Sequence, residues 1–160
     1  MLIAHYIGDH AKDGLLTRLG WALTRLTQKG PFDHVTHCEA IHHEYADGSV
    51  LIASSSLRDG GVRAKQLYLN KEHWMIVDVP AWPVEASEQL LDRTKGQRYD
   101  LHGALATQLP GSPQAGRWFC NQWVACPYLP AAATFGPHHL AAITLSLGRD
   151  VTQDFFAKRQ

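Results

Sequence analysis

Two segments far apart in the chain set the terms on which it can fold. Phe32-Asp33-His34-Val35-Thr36-His37-Cys38-Glu39-Ala40-Ile41 reads as a buried strand carrying an imidazole, and Arg117-Trp118-Phe119-Cys120-Asn121-Gln122-Trp123-Val124-Ala125 reads as a cysteine entering a helix. A thiol becomes a useful nucleophile when its pKa falls, and both a neighbouring imidazolium and a helix N-terminus lower it. A strand His and a helix-start Cys are therefore the minimal parts of a thiol hydrolase or acyltransferase. The chain must close on itself if the two are to meet.

Length and composition allow that closure within one core. The 160 residues suit a single domain over 1–160, with no composition break to divide it. Fifteen basic residues balance fifteen acidic ones, so no global field favours nucleic acid or an anionic membrane. The longest apolar runs are too short to cross a bilayer, so no transmembrane segment is expected. The start of the chain lacks a basic region followed by a long apolar one, which argues against a signal peptide and for the cytoplasm. Three cysteines without an export signal are expected to be free thiols. Nothing in the sequence fixes an oligomeric state.

Periodicity and turn residues predict an α+β fold. Residues 2–7 form a short apolar strand, and from Asp13 a helix carries Leu15, Leu16, Leu19, Ala22, Leu23 and Leu26 at helical spacing. Lys29-Gly30-Pro31 stops it. Strands are expected over residues 34–43, 49–54, 62–69 and 73–79, with Asp47-Gly48 turning the first into the second as a hairpin. Residues 84–95 read as an amphipathic helix, and a Gly/Pro-rich loop around Pro110-Gly111-Ser112-Pro113 precedes the Cys120 helix. A last helix starts near Pro137 with Leu140, Ile143, Leu145 and Leu147, and residues 149–160 read as a frayed or partner-seeking tail.

Strand alternation puts Val35, His37, Glu39 and Ile41 on one face, and His34, Thr36, Cys38, Ala40 and His42 on the other. His37 is the expected base, with His34 as its rival. Glu39 either orients the imidazole or is a salt-bridged carboxylate, and Ser54 on the paired strand is the alternative orienter. His34, His37, Cys38, His42 and His43 are zinc-ligand types. The strand splits them between faces, however, and no CxxC or HExxH accompanies them, so neither metal nor cofactor is expected. Cys120 gains from its place at a helix start, from the apolar wall of Trp118, Phe119, Trp123 and Val124, and from Asn121 and Gln122 as hydrogen-bond partners for an oxyanion. Cys38 and Cys126 are expected to be packing residues. Trp74, Trp82 and Trp118 are candidates for core or interface.

In this order the segments resemble the permuted branch of the NlpC/P60 papain-like superfamily, which includes YiiX-like and LRAT-like proteins. The His strand matches as Val35-Thr36-His37-Cys38-Glu39-Ala40-Ile41, and the second strand with its Gly-Val step as Leu51-Ile52-Ala53-Ser54-Ser55 and Gly60-Gly61-Val62-Arg63. A G-x-x-Y-D segment follows as Gly96-Gln97-Arg98-Tyr99-Asp100, the Cys helix as Phe119-Cys120-Asn121-Gln122, and the last helix start as Pro137-His138-His139-Leu140. The match spans roughly residues 1–147. The Gly-Gly-Val-Arg version most resembles small phage and prophage members.

The resemblance implies a circularly permuted papain-like fold, an antiparallel sheet packed against helices that include the Cys helix. It makes Cys120 the nucleophile and His37 the base, with Tyr99 lining the pocket. Many YiiX-like members carry Glu in the second strand, where this chain has Ile52-Ala53-Ser54, so Ser54 or Glu39 takes the third place. Asn121-Gln122 replace the usual Ser-Glu after the cysteine. The implied activity is a cysteine peptidase or amidase acting on peptide amides such as those of the cell wall. The alternatives are an LRAT-like lipid acyltransferase or thioesterase, and a non-catalytic phage or prophage accessory that keeps the fold as a binding module.

Overall fold

The computed structural model describes residues 1–8, 30–107 and 113–159. Strands β1 (Leu2–Tyr6), β2 (His37–Glu44), β3 (Val50–Ser56), β4 (Gly61–Leu67) and β5 (Trp74–Asp78) come first. Helix α1 (Val84–Thr94), strand β6 (Arg98–Tyr99), helix α2 (Leu101–Ala106) and strand β7 (Arg117–Trp118) lead to α3 (Cys120–Ala125). A 3-10 turn (Ala132–Thr134), α4 (Pro137–Leu147), β8 (Arg149–Asp150) and α5 (Thr152–Ala157) complete the described chain. The helix expected from Asp13 and the residues 110–112 of the Gly/Pro loop lie outside the described residues.

This is an α+β fold with a curled mixed sheet packed against helices. Among the described residues the strand order is β7-β6-β4-β3-β2-β1-β5-β8, antiparallel throughout except for the parallel pair β6–β7. The expected β2–β3 hairpin is present, and Asp47 closes it by accepting from the Ser49 amide (2.9 Å) and hydroxyl (2.6 Å). Gly48 sits at φ +85, the left-handed conformation that makes Asp-Gly a hairpin turn. Strand β2 begins at His37, three residues later than the alternation predicts, because residues 31–34 turn instead of extending.

Both faces of the central strands are apolar, which explains why β1 and β2 read as nearly continuous hydrophobic runs. One face carries Ile3, Cys38, Ala40, Ala53 and Val77 against Trp123, Val124 and Leu140 from α3 and α4. The opposite face carries Ala4, Ile41, Ile52 and Ile76, capped by Val151 and Phe155. The expectation of a frayed tail is therefore corrected. Arg149–Asp150 pairs with β5 as an edge strand, and Phe155 of α5 is buried to 4% exposure on the second face. A helix this short gives a weak periodic signal in sequence; its stability comes from the tertiary seat of one aromatic.

Candidate active site

The chain reaches Cys120 through a tightly held entry. The Trp118 carbonyl accepts from the Ser55 hydroxyl at 2.5 Å and from the Asp100 amide at 2.9 Å. The buried Asp100 carboxylate accepts from the Gly103 amide (2.8 Å) and the Gln114 amide (2.7 Å), capping α2 and drawing in the segment before β7. Phe119 then serves as an extended N-cap, and its carbonyl accepts the first helical bond, from the Trp123 amide at 3.0 Å. Phe119, Trp123 and Val124 are almost wholly buried, so they anchor α3 in the core and do not wall an open cleft. Cys120 is thereby fixed in the first turn at the face of the sheet that carries Cys38.

His37, Glu39 and Cys120 come together. His37 opens β2, and its Nε2 lies 2.7 Å from Glu39 Oε1 on the same face. Residues two apart on a strand are about 7 Å apart at the backbone, a gap these two long side chains span. The ring also hydrogen-bonds Cys120. Burial alone would lower the imidazole; the charges of Cys120 and Glu39, with the hydrogen bonds to both, overcome it and raise His37 to about 9. The Cys120 thiol is held well below its usual value, first by a hydrogen bond from the Cys38 thiol, against the opposing effect of burial, and then by the His37 charge and hydrogen bond. The two shifts run in the directions of a coupled imidazolium–thiolate pair.

Glu39 has a second partner that sequence reasoning passed over. Arg63 clamps it with both terminal nitrogens, Nη1 to Oε2 at 2.6 Å and Nη2 to Oε1 at 2.5 Å. Glu39 is 2% exposed, yet it stays ionised with a pKa of about 2: burial opposes this, and the His37 charge and the Arg63 hydrogen bonds outweigh it. Arg63 in turn donates through Nε to Asp59 Oδ2 at 2.7 Å, and Lys65 also pairs with Asp59. The quoted Gly-Gly-Val-Arg step contained this arginine; its role required the β3–β4 register.

That register assigns Ser54 a different place from the one expected. Ser54 pairs with Arg63, and extending the β2–β3 pairing by one residue puts Glu39 on its other side. Glu39 and Arg63 are thus two strands apart, about 9.6 Å at the backbone. A small residue between them lets the guanidinium cross. The Ser54 hydroxyl donates to the Ser55 carbonyl at 3.5 Å, while the His37 ring is oriented by Glu39.

The remaining candidates divide. Tyr99, half-buried on β6, feels the Cys120 charge, and burial first and that charge second keep its phenol protonated. Asn121 is 1% exposed, with Oδ1 3.6 Å from Cys120 Sγ and Nδ2 without a partner among the described residues. A thiolate has no proton for Oδ1. Turning the amide over presents Nδ2–H to the sulfur, and a charge-assisted bond replaces a weak one. Gln122 is half-buried with Oε1 unpartnered among the described residues, and Trp118 donates its indole N–H to Gln97 Oε1 at 2.6 Å. His34 is largely exposed beside Asp33. Cys126 is exposed, whereas Cys38 is not a mere packing residue: its buried thiol hydrogen-bonds the Cys120 sulfur.

No group of His, Cys, Asp or Glu among the described residues is arranged to hold a metal ion, and no helix among them is long and apolar enough to cross a membrane. No protein-family model, curated protein or solved structure matches the chain.

Proposed function

We propose that the protein is a cysteine-dependent hydrolase of amide bonds, built on a permuted NlpC/P60 papain-like fold. The observation that carries this is the buried chain Cys120–His37–Glu39–Arg63: a lowered thiol, a raised imidazole and a carboxylate kept ionised behind it. Glu39 holds Nε2, which leaves Nδ1 as the ring nitrogen that exchanges a proton with sulfur. Cys120 attacks the carbonyl, and His37 gives its proton to the leaving amine as the thioester forms. Water activated by the then neutral His37 hydrolyses the thioester. The amides of Cys120, Asn121 and Gln122 precede the first helical bond and have no acceptor within α3, so they supply donors for the oxyanion. The neutral Tyr99 phenol is a further donor on the same side. Peptide amides, such as those of cell-wall peptides, are the proposed substrates.

Intact-mass spectrometry with p-nitrophenyl acetate tests the acyl-transfer step. The expected result is a transient acetyl adduct on Cys120, absent from Cys120→Ala and formed about 100-fold more slowly in His37→Ala. Absence of any adduct in the wild type overturns the proposal. Turnover of acyl-lipid esters without turnover of peptide amides assigns the same site to lipid acyl transfer instead.

A further inference from the structure

Cys120 has a second thiol against it. Cys38 and Cys120 are both buried in the core between the sheet and α3, at 0% and 3% exposure, and the Cys38 thiol donates to the Cys120 sulfur. The Cys38 backbone amide bonds the same sulfur. Acyl transfer uses the Cys38 thiol only as a hydrogen-bond donor to the Cys120 sulfur and never consumes its proton.

A second observation sits one strand away. His5 is cross-strand from Cys38, so their Cβ atoms are about 5 Å apart on one face. His5 is 0% exposed, and its Nε2 lies 2.9 Å from Thr144 Oγ1. The Thr144 hydroxyl already donates to the Ala141 carbonyl at 3.0 Å, so Oγ1 accepts from His5 and the imidazole proton is on Nε2. Nδ1 is then a buried lone pair, and it has no partner among the described residues. Burial lowers His5 to about 3, which keeps the ring neutral. A buried acceptor of this kind is costly when nothing uses it. Beside Cys38, it can accept a hydrogen bond from the thiol once Cys120 is no longer a thiolate; a ring held this low does not take the proton itself.

We propose that Cys120 and Cys38 form a reversible disulfide in response to a small hydroperoxide, Cys120 being the thiol that meets the peroxide and Cys38 the thiol that resolves it. This rests on the reading of Cys120 as a thiolate nucleophile. Cys120 attacks one peroxide oxygen, the O–O bond breaks, and the released alkoxide or hydroxide takes up a proton; the peroxide is reduced by two electrons and Cys120 becomes a sulfenic acid. Cys38 sulfur then attacks Cys120 sulfur. The S–S bond forms, the S–O bond breaks, and the departing hydroxide leaves as water with the proton lost by Cys38. Because Cys38 is already in contact, resolution outruns a second oxidation to the irreversible sulfinic acid. The disulfide removes the nucleophile, and a dithiol restores it.

The test is non-reducing peptide mapping of the full chain after hydrogen peroxide, with and without dimedone. The expected wild-type product is a Cys38–Cys120 linked peptide, an intact mass lower by about 2 Da, and full reversal by dithiothreitol. In Cys38→Ser, dimedone should trap Cys120, and without dimedone Cys120 should proceed to the sulfinic acid. A dimedone adduct on wild-type Cys120 with no linked peptide overturns the proposal, as does a link from Cys120 to Cys126. Iodoacetamide on the same preparation separates the two readings. Fast alkylation of Cys120 without a disulfide refutes the resolving thiol alone, and slow alkylation without a disulfide refutes both. The wild-type result does not depend on how well the variant folds.

Discussion

At the residue scale, Arg63 holds the site's electrostatics together. It supplies two hydrogen bonds that, with the charge and hydrogen bond of His37, keep a nearly inaccessible carboxylate ionised. Removing one partner of such a buried pair strands the other, so Arg63→Ala should lower the unfolding free energy by about 3–5 kcal/mol in urea titration. The pair replaced together, Glu39→Gln with Arg63→Met, should cost less than the sum of the single changes, a coupling that a double-mutant cycle measures. Ser54 separates the two accounts of its role. If it provides room for the guanidinium, Ser54→Ala should leave stability and Cys120 alkylation unchanged, whereas Ser54→Leu should cost about 1–3 kcal/mol through overpacking. A loss of Cys120 reactivity in Ser54→Ala would instead make the hydroxyl part of the machinery.

At the element scale, strands β1 to β5, helix α1 and the Pro137 helix were legible because alternation, the Asp47-Gly48 turn and proline punctuation all report local preference. The pairing of His37 with Glu39 was legible as a shared face. What sequence did not carry was register. Nothing local says that Arg63 reaches across β3, that His5 stands opposite Cys38, or that Cys38 meets Cys120, since each depends on strands paired at a distance. The same holds for α5, whose order derives from the seat of Phe155 and from Arg159, stacked on that ring at 3.4 Å and paired with Glu44. Phe155→Ala should therefore destabilise the fold by about 3 kcal/mol, read as a lower urea midpoint. A change within experimental error would return residues 149–159 to the status of a tail.

At the scale of the whole molecule, the site makes stability depend on pH. Glu39 is depressed from 4.5 to about 2, so its contribution is present above 4.5 and is lost as pH falls toward 2. His37 is raised from 6.5 to about 9, so its contribution is present below 6.5 and declines as pH rises through 9. Cys120, lowered from 9.0, has the opposite dependence, its contribution growing up to 9.0. Between 6.5 and 9 the folded pair holds one proton and the unfolded chain also holds one, so the two trends cancel. Urea midpoints should stay level from about pH 6.5 to 9, fall below 6.5 as the Cys120 and His5 contributions are lost, and fall further below 4.5, less steeply there in Glu39→Gln. The central claim is that His37 holds Cys120 as a thiolate, and the direct measurement is the pH dependence of iodoacetamide alkylation at each cysteine, read by mass spectrometry in wild type and His37→Ala. Cys120 should react alone and fast at pH 6, and His37→Ala should slow it there at least ~10-fold. An alkylation rate at Cys120 that rises only near the ordinary thiol pKa of about 8.5, unchanged by His37→Ala, would contradict the thiolate–imidazolium pair and the hydrolase with it.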